Sequence, residues 1–233
     1  MNSIGDNDDD DDEVNGILAS FDMGAKNLAV CVLDMETKQV LHWFLIDIFR
    51  PEEVATGRET NSNKRTVDQH VEAMIPALDS YSSIFDHVTH VAIELQPAGR
   101  GKFANNKMCS LQHALKTWFL TKYGICAAIV SPKLKLNIIR DRLRADDQLC
   151  DPVPSTPKAS NKRYAYHKKR AIQCVRKIGP EHATESQMIV FLGTKKKDDY
   201  ADSFLQGLWR IHQLEEVLRK KRKKPRKRKR KVS

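Results

Sequence analysis

Three apolar runs lie close together near the start of the chain: Gly16 to Asp22, Leu28 to Leu33 and Val40 to Ile46. Only short connections separate them, and Met35 to Lys38 is polar and turn-like. Parallel neighbours need a crossover of about a dozen residues or more, whereas antiparallel neighbours need only a turn. The runs therefore predict an antiparallel three-stranded meander. Whatever the rest of the chain does, it must pack onto the faces of this sheet or extend its edges.

The later segments extend it. Arg50 to Arg65 is polar and holds Pro51 and Gly57, so it reads as a loop. Val67, Val71, Met74, Ile75 and Leu78 follow at helical spacing. Val88 to Leu95 reads as a fourth strand, ended by Pro97. Met108, Leu111, Leu115, Trp118 and Phe119 mark a helix over Asn106 to Lys122, with Gly124 where a C-terminal glycine belongs. Ile125 to Val130 is almost wholly apolar, as expected of a buried parallel strand. Asp151 to Lys162 has three prolines and reads as an exposed insertion. A helix follows through Ala165, Ile172, Val175 and Ile178, closed by Gly179-Pro180. A last helix carries Ala201, Phe204, Leu205, Leu208 and Ile211 into a basic tail. The sum is an α/β layer architecture, a mixed five-stranded sheet covered by helices.

Charge separates the body of the chain from its ends. The net charge is +10 over 233 residues. Arg219 to Lys231 holds 12 positive charges, broken only by Pro225, and Asp6 to Glu13 holds 7 negative ones, broken only by Asn7. The rest carries +5. Opposed charge blocks with nothing apolar to bury are expected to stay disordered. The expected division is an acidic leader over 1–14, one folded domain over 15–218 and a basic tail over 219–233. The tail reads as a nuclear localisation signal or a DNA-binding arm. No run of about 18 apolar residues and no N-terminal apolar segment occur, so neither a membrane span nor a signal peptide is expected. The five cysteines form no CxxC pair and read as reduced, buried thiols rather than a zinc site.

Four acidic residues stand out by position. Asp22 closes the first strand, Glu94 sits near the end of the fourth, and Asp199 and Asp202 open the last helix. Residues three apart on a helix share a face, so the last two can address one point. Asp198 could serve as a cap or an extra ligand. Taken singly, Asp22 reads as a turn residue and the helix acids as groups favoured by the macrodipole. Glu94 is harder to place that way, because an ionised Glu inside an apolar strand needs a partner. Two carboxylates about 5 Å apart repel by roughly 3 kcal/mol at an effective dielectric near 20. A cluster of four calls for cations, and oxygen-only ligands favour magnesium or manganese. Two such ions would suit phosphodiester hydrolysis.

The blocks ILASFDMGAKNLAVCVLD, HVAIELQP and KKKDDYADSFLQGLW resemble Holliday junction resolvases of the RuvC type. These belong to the ribonuclease H-like superfamily. The nearest flavour is that of poxviruses and other large DNA viruses, with fungal mitochondrial resolvases as relatives. The resemblance covers roughly Gly16 to Ile211. It implies a ribonuclease H-like sheet with helices on both faces. It also implies a homodimer that nicks four-way DNA junctions symmetrically, leaving 5′-phosphate ends, with Mg2+ (or Mn2+) and no small-molecule cofactor. Asp22, Glu94, Asp199 and Asp202 would be catalytic metal ligands. A catalytic lysine would come from Tyr166 to Ala171, with Lys169 favoured over Lys168. Lys26, Arg100, Lys102, Lys168 and Lys169 would contact DNA, and Phe103 would wedge at the crossover. The Asn106-to-Lys122 helix would form the dimer.

Two other functions fit the same residues. One is an inactive fold that binds branched DNA. The other is a nuclease of this fold that acts on flaps or RNA/DNA hybrids. The expected location is intracellular, in the nucleus or at a cytoplasmic viral replication site.

Overall fold

A computed structural model describes residues 14–58, 61–96, 106–143 and 160–222. Five strands form one sheet: β1 (Ile17–Met23), β2 (Asn27–Asp34), β3 (Val40–Asp47), β4 (His90–Glu94) and β5 (Ala128–Val130). Their order is β3-β2-β1-β4-β5. The first three strands form the expected antiparallel meander, and β4 and β5 join it in parallel. The helices are α1 (Arg50–Thr56), α2 (Val67–Asp79), α3 (Ser82–Phe85), α4 (Asn106–Tyr123), α5 (Lys135–Leu143), α6 (Ser160–His182), α7 (Glu185–Gly193) and α8 (Lys197–Arg222).

The period of two along β1 and β4 sorts side chains onto two faces. Ala19 and Phe21 of β1 and Val91 and Ile93 of β4 share one apolar cluster with α2 and α4. Its centre is aromatic: Phe21, Phe85, Trp118 and Phe119 meet with ring centroids 4.9–5.9 Å apart, mostly edge to face. The apolar stripe foreseen on α4 is spent here, on the core. Leu18 and Ala92 face the other cluster, which α5, α6, α7 and α8 cover. There Trp43 stacks on Phe191 at 5.2 Å and donates its indole N–H to Tyr200 O at 3.0 Å. Helices thus lie on both faces, as expected.

Several details differ from the expectations. The supposed loop after β3 holds α1, a short polar helix with no apolar stripe to betray it. Helix α7 was not foreseen, because apolar residues occur almost all round it. Its start was nevertheless written in the sequence, since Thr184 and Gln187 form a capping box. The Gln187 amide then donates to Val40 O at 3.1 Å and Leu41 O at 3.4 Å on the outer edge of β3. Helix α6 does not stop at Gly179-Pro180 but runs to His182. A proline in the last turn removes only one bond, and Ala183 N still reaches Gly179 O at 2.8 Å. Gly179 serves close packing, because a Cβ there would lie 2.8 Å from Met188 Sδ. Gly124 is the left-handed helix end expected, with φ +70°. The fifth strand is shorter than foreseen and lies at the sheet edge, with Ile129 partly exposed. Helix α8 carries the first residues of the basic run, as far as Arg222.

Among the described residues no helix is long and apolar enough to cross a membrane. The described cysteines, Cys31, Cys109, Cys126 and Cys174, are free thiols. The segments holding Arg100, Lys102 and Phe103, most of the 151–162 insertion, the acidic leader and the end of the basic tail lie outside the described residues.

Removing a ring from the aromatic cluster leaves a cavity that few neighbours can fill. Phe119→Ala is expected to cost about 3–5 kcal/mol, read from chemical denaturation of both proteins.

Candidate active site

Parallel pairing matches Phe21 with Ile93, so the next residues, Asp22 and Glu94, sit side by side on adjacent strands. Both point to the α8 face, opposite Phe21 and Ile93. Helix α8 crosses that face and delivers Asp199 and Asp202. All four line one cavity of about 520 Å³. Gln96, Lys133, Lys135, Tyr164, His167 and Lys168 complete its polar wall.

Asp22 and Glu94 are in hydrogen-bond contact. Burial pushes the Asp22 carboxyl well above its ordinary range, and the contact with Glu94 and that residue's charge push the same way. Burial would raise Glu94 too, but the Asp22 hydrogen bond and the Lys135 charge outweigh it and hold Glu94 low. The two carboxyls are thus driven in opposite directions, Asp22 up and Glu94 down.

Lys135 supplies a neutralising charge. Its ammonium stands 3.3 Å from Glu94 Oε1 and 2.7 Å from Asp202 Oδ2. The three side chains are only 12%, 13% and 17% exposed. Burial works against the charged lysine, but the surrounding carboxylates win and push it up to about 12. Burial raises Asp202 above its ordinary value, with Lys135 pulling the other way. Burial also raises Asp199, helped by the charge of Asp198. Asp198 itself is held low by its ion pair with Lys168, against the effect of burial.

Sequence reasoning missed Lys135. A signal for it exists: Lys135 is the first residue of α5, where the helix macrodipole disfavours a cation. A lysine there asks for a carboxylate partner. Of the two candidate lysines on α6, Lys168 lines the cavity. Its ammonium lies 4.9 Å over the Tyr164 ring. Lys169 is exposed and does not line the cavity. Helical geometry turns successive residues by about 100°, so only one of the pair can face inward. Lys26 pairs with Glu53 at 2.7 Å and with Asp47 at 3.9 Å, and is not part of the cavity wall. Asp198 approaches through Lys168 rather than lining the cavity itself.

Among the described residues no three acidic, His or Cys side chains are already drawn into a metal cage. The donor set still fits a hard divalent cation. Carboxylates from three elements converge, all donors are oxygen, and the cluster has drawn in the Lys135 ammonium to offset its charge.

No family model and no curated protein matches this chain. Solved structures do. The yeast mitochondrial Holliday junction resolvase Ydc2 matches with TM-score 0.54 and 16% identity, over 87% of this chain and 81% of that one. RuvC of Thermus thermophilus in complex with a Holliday junction substrate matches with TM-score 0.49 and 15% identity, over 88% and 96%. A second Thermus RuvC structure gives 0.47 and 16%, over 87% and 96%. The chain shares the mixed five-stranded α/β fold of the yeast structure.

The raised Asp22 carboxyl has a consequence for stability without metal. Its contribution is fully present below the ordinary Asp value of about 4 and is lost as pH rises through the higher folded value. Asp22→Asn removes that loss. In thermal melts with chelator, the variant is expected to match wild type near pH 4 and to melt higher as pH rises. Each kcal/mol regained corresponds to about 2–4 °C.

Proposed function

We propose that this chain is a Holliday junction resolvase: a metal-dependent, structure-selective endodeoxyribonuclease that nicks four-way DNA junctions. The observation that carries the proposal is the meeting of Asp22, Glu94 and Asp202 from β1, β4 and α8 around Lys135 in one cavity. The fold shared with the yeast resolvase supports it.

Asp22, Glu94, Asp199 and Asp202 would hold Mg2+, with Mn2+ as substitute. The bound ions would lower the pKa of a water and offset charge on the phosphate. Asp22 would serve as a ligand in its ionised form. Lys168 and Lys135 each present an ammonium to the cavity, where they stabilise charge developing on phosphate oxygens. Tyr164 steadies Lys168 through its ring.

We further propose that the enzyme acts as a homodimer on DNA junctions. The basic run at its C-terminus would add salt-sensitive affinity for any DNA without selecting a junction. This reading locates it inside the cell, in the nucleus or at a cytoplasmic viral replication site.

The test separates binding from cutting. Asp22→Asn and Asp202→Asn are expected to bind a four-way junction as well as wild type in chelator. Both should lose cleavage with magnesium by a factor of about 10³ or more. Wild-type rates of cleavage by either variant would overturn the assignment. Running wild type on junction, flap, RNA/DNA hybrid and duplex tests selectivity, and a preference for flap or hybrid would replace the junction as substrate.

A further inference from the structure

The catalytic carboxylates come from three elements, so something must fix how far α8 sits from β1 and β4. One amide touches all three. Gln206 lies four residues after Asp202, one helical turn along the same face. Its side-chain NH2 faces Phe21 O at 3.1 Å, Ser20 Oγ at 3.2 Å and Ala92 O at 3.4 Å. Phe21 precedes Asp22, and Ala92 lies two residues before Glu94. Gln206 is 2% exposed, so water cannot stand in for these partners. The neighbouring residue allows the approach. A Cβ at Gly207 would lie 2.5 Å from Leu33 Cδ1, closer than side chains tolerate, and 3.2 Å from Ser20 Cβ, a tight contact.

We propose that Gln206 is a positioning residue: its amide clamps α8 to β1 and β4 and so sets the spacing of Asp202 from Asp22 and Glu94 that divalent metal binding requires. The inference rests on the metal-dependent reading of the site. Gln206 never meets substrate or metal. It acts through Asp202, as outer partners of metal ligands commonly do. A purely structural role would change stability alone. A positioning role changes metal affinity and leaves junction binding untouched.

The experiment uses the full chain and three variants: Gln206→Met, which keeps volume but loses the amide, Ser20→Ala, which removes one acceptor, and Asp202→Asn. Mn2+ binding is measured by calorimetry without DNA, and junction cleavage by kcat and KM across a manganese titration. Gln206→Met is expected to weaken Mn2+ binding by about 10–100-fold, to lower kcat at low manganese and regain part of it at high manganese, and to leave KM for the junction unchanged. Ser20→Ala is expected to show a smaller loss of the same kind. A folded Gln206→Met that binds Mn2+ and cleaves like wild type, while Asp202→Asn loses both, overturns the clamp and leaves the nuclease standing. If Asp202→Asn itself behaves as wild type, it is the nuclease reading that has failed. Should Gln206→Met not fold, Ser20→Ala decides, and unchanged Mn2+ affinity there overturns the clamp.

Discussion

Acidic side chains that meet in a partly buried cavity repel one another. Each pair near 5 Å costs roughly 3 kcal/mol at an effective dielectric near 20. The chain accepts that cost at the ends of β1 and β4, and much of the surrounding structure offsets it. Burial and Glu94 push the Asp22 carboxyl up, the Lys135 ammonium sits between Glu94 and Asp202, and Lys168 holds Asp198. Under the proposed function, a divalent cation would supply more charge in less space.

The two faces of the sheet divide the work. The face under α2 and α4 is almost wholly apolar, with its aromatic rings packed edge to face. It provides the stability that lets the other face carry buried charge. On that second face, Trp43, Phe191, Phe204 and Leu205 form the apolar bed, and the carboxylates occupy its rim. Packing by Gly207 and hydrogen bonding by Gln206 join bed and rim along a single helix.

What could be read from the sequence follows from what is local. The meander was legible because short connections leave few alternatives. Asp22 and Glu94 were legible as acids at strand ends, and Asp199 and Asp202 as a pair one turn apart. Their convergence was not, since it depends on parallel register between β1 and β4 and on where α8 crosses. Lys135 escaped because a single lysine after a strand looks like surface until its helix is known. Lys168 and Lys169 could not be told apart without the helical phase of α6. Helices α1 and α7 escaped for opposite reasons: one has too few apolar residues to show a stripe, the other too many.

The bond from Gln187 to the β3 carbonyls bears on how these molecules behave in company. An open sheet has two edges, and each edge invites another strand to pair. At one end, β5 is only three residues long and offers little to pair with. At the other, β3 is eight residues long and would be the natural template. Helix α7 lays an amide across the start of that edge and takes up two of its carbonyls. The same glutamine that begins the helix thus blunts the strand, and copies of the chain are less able to zip together edge to edge.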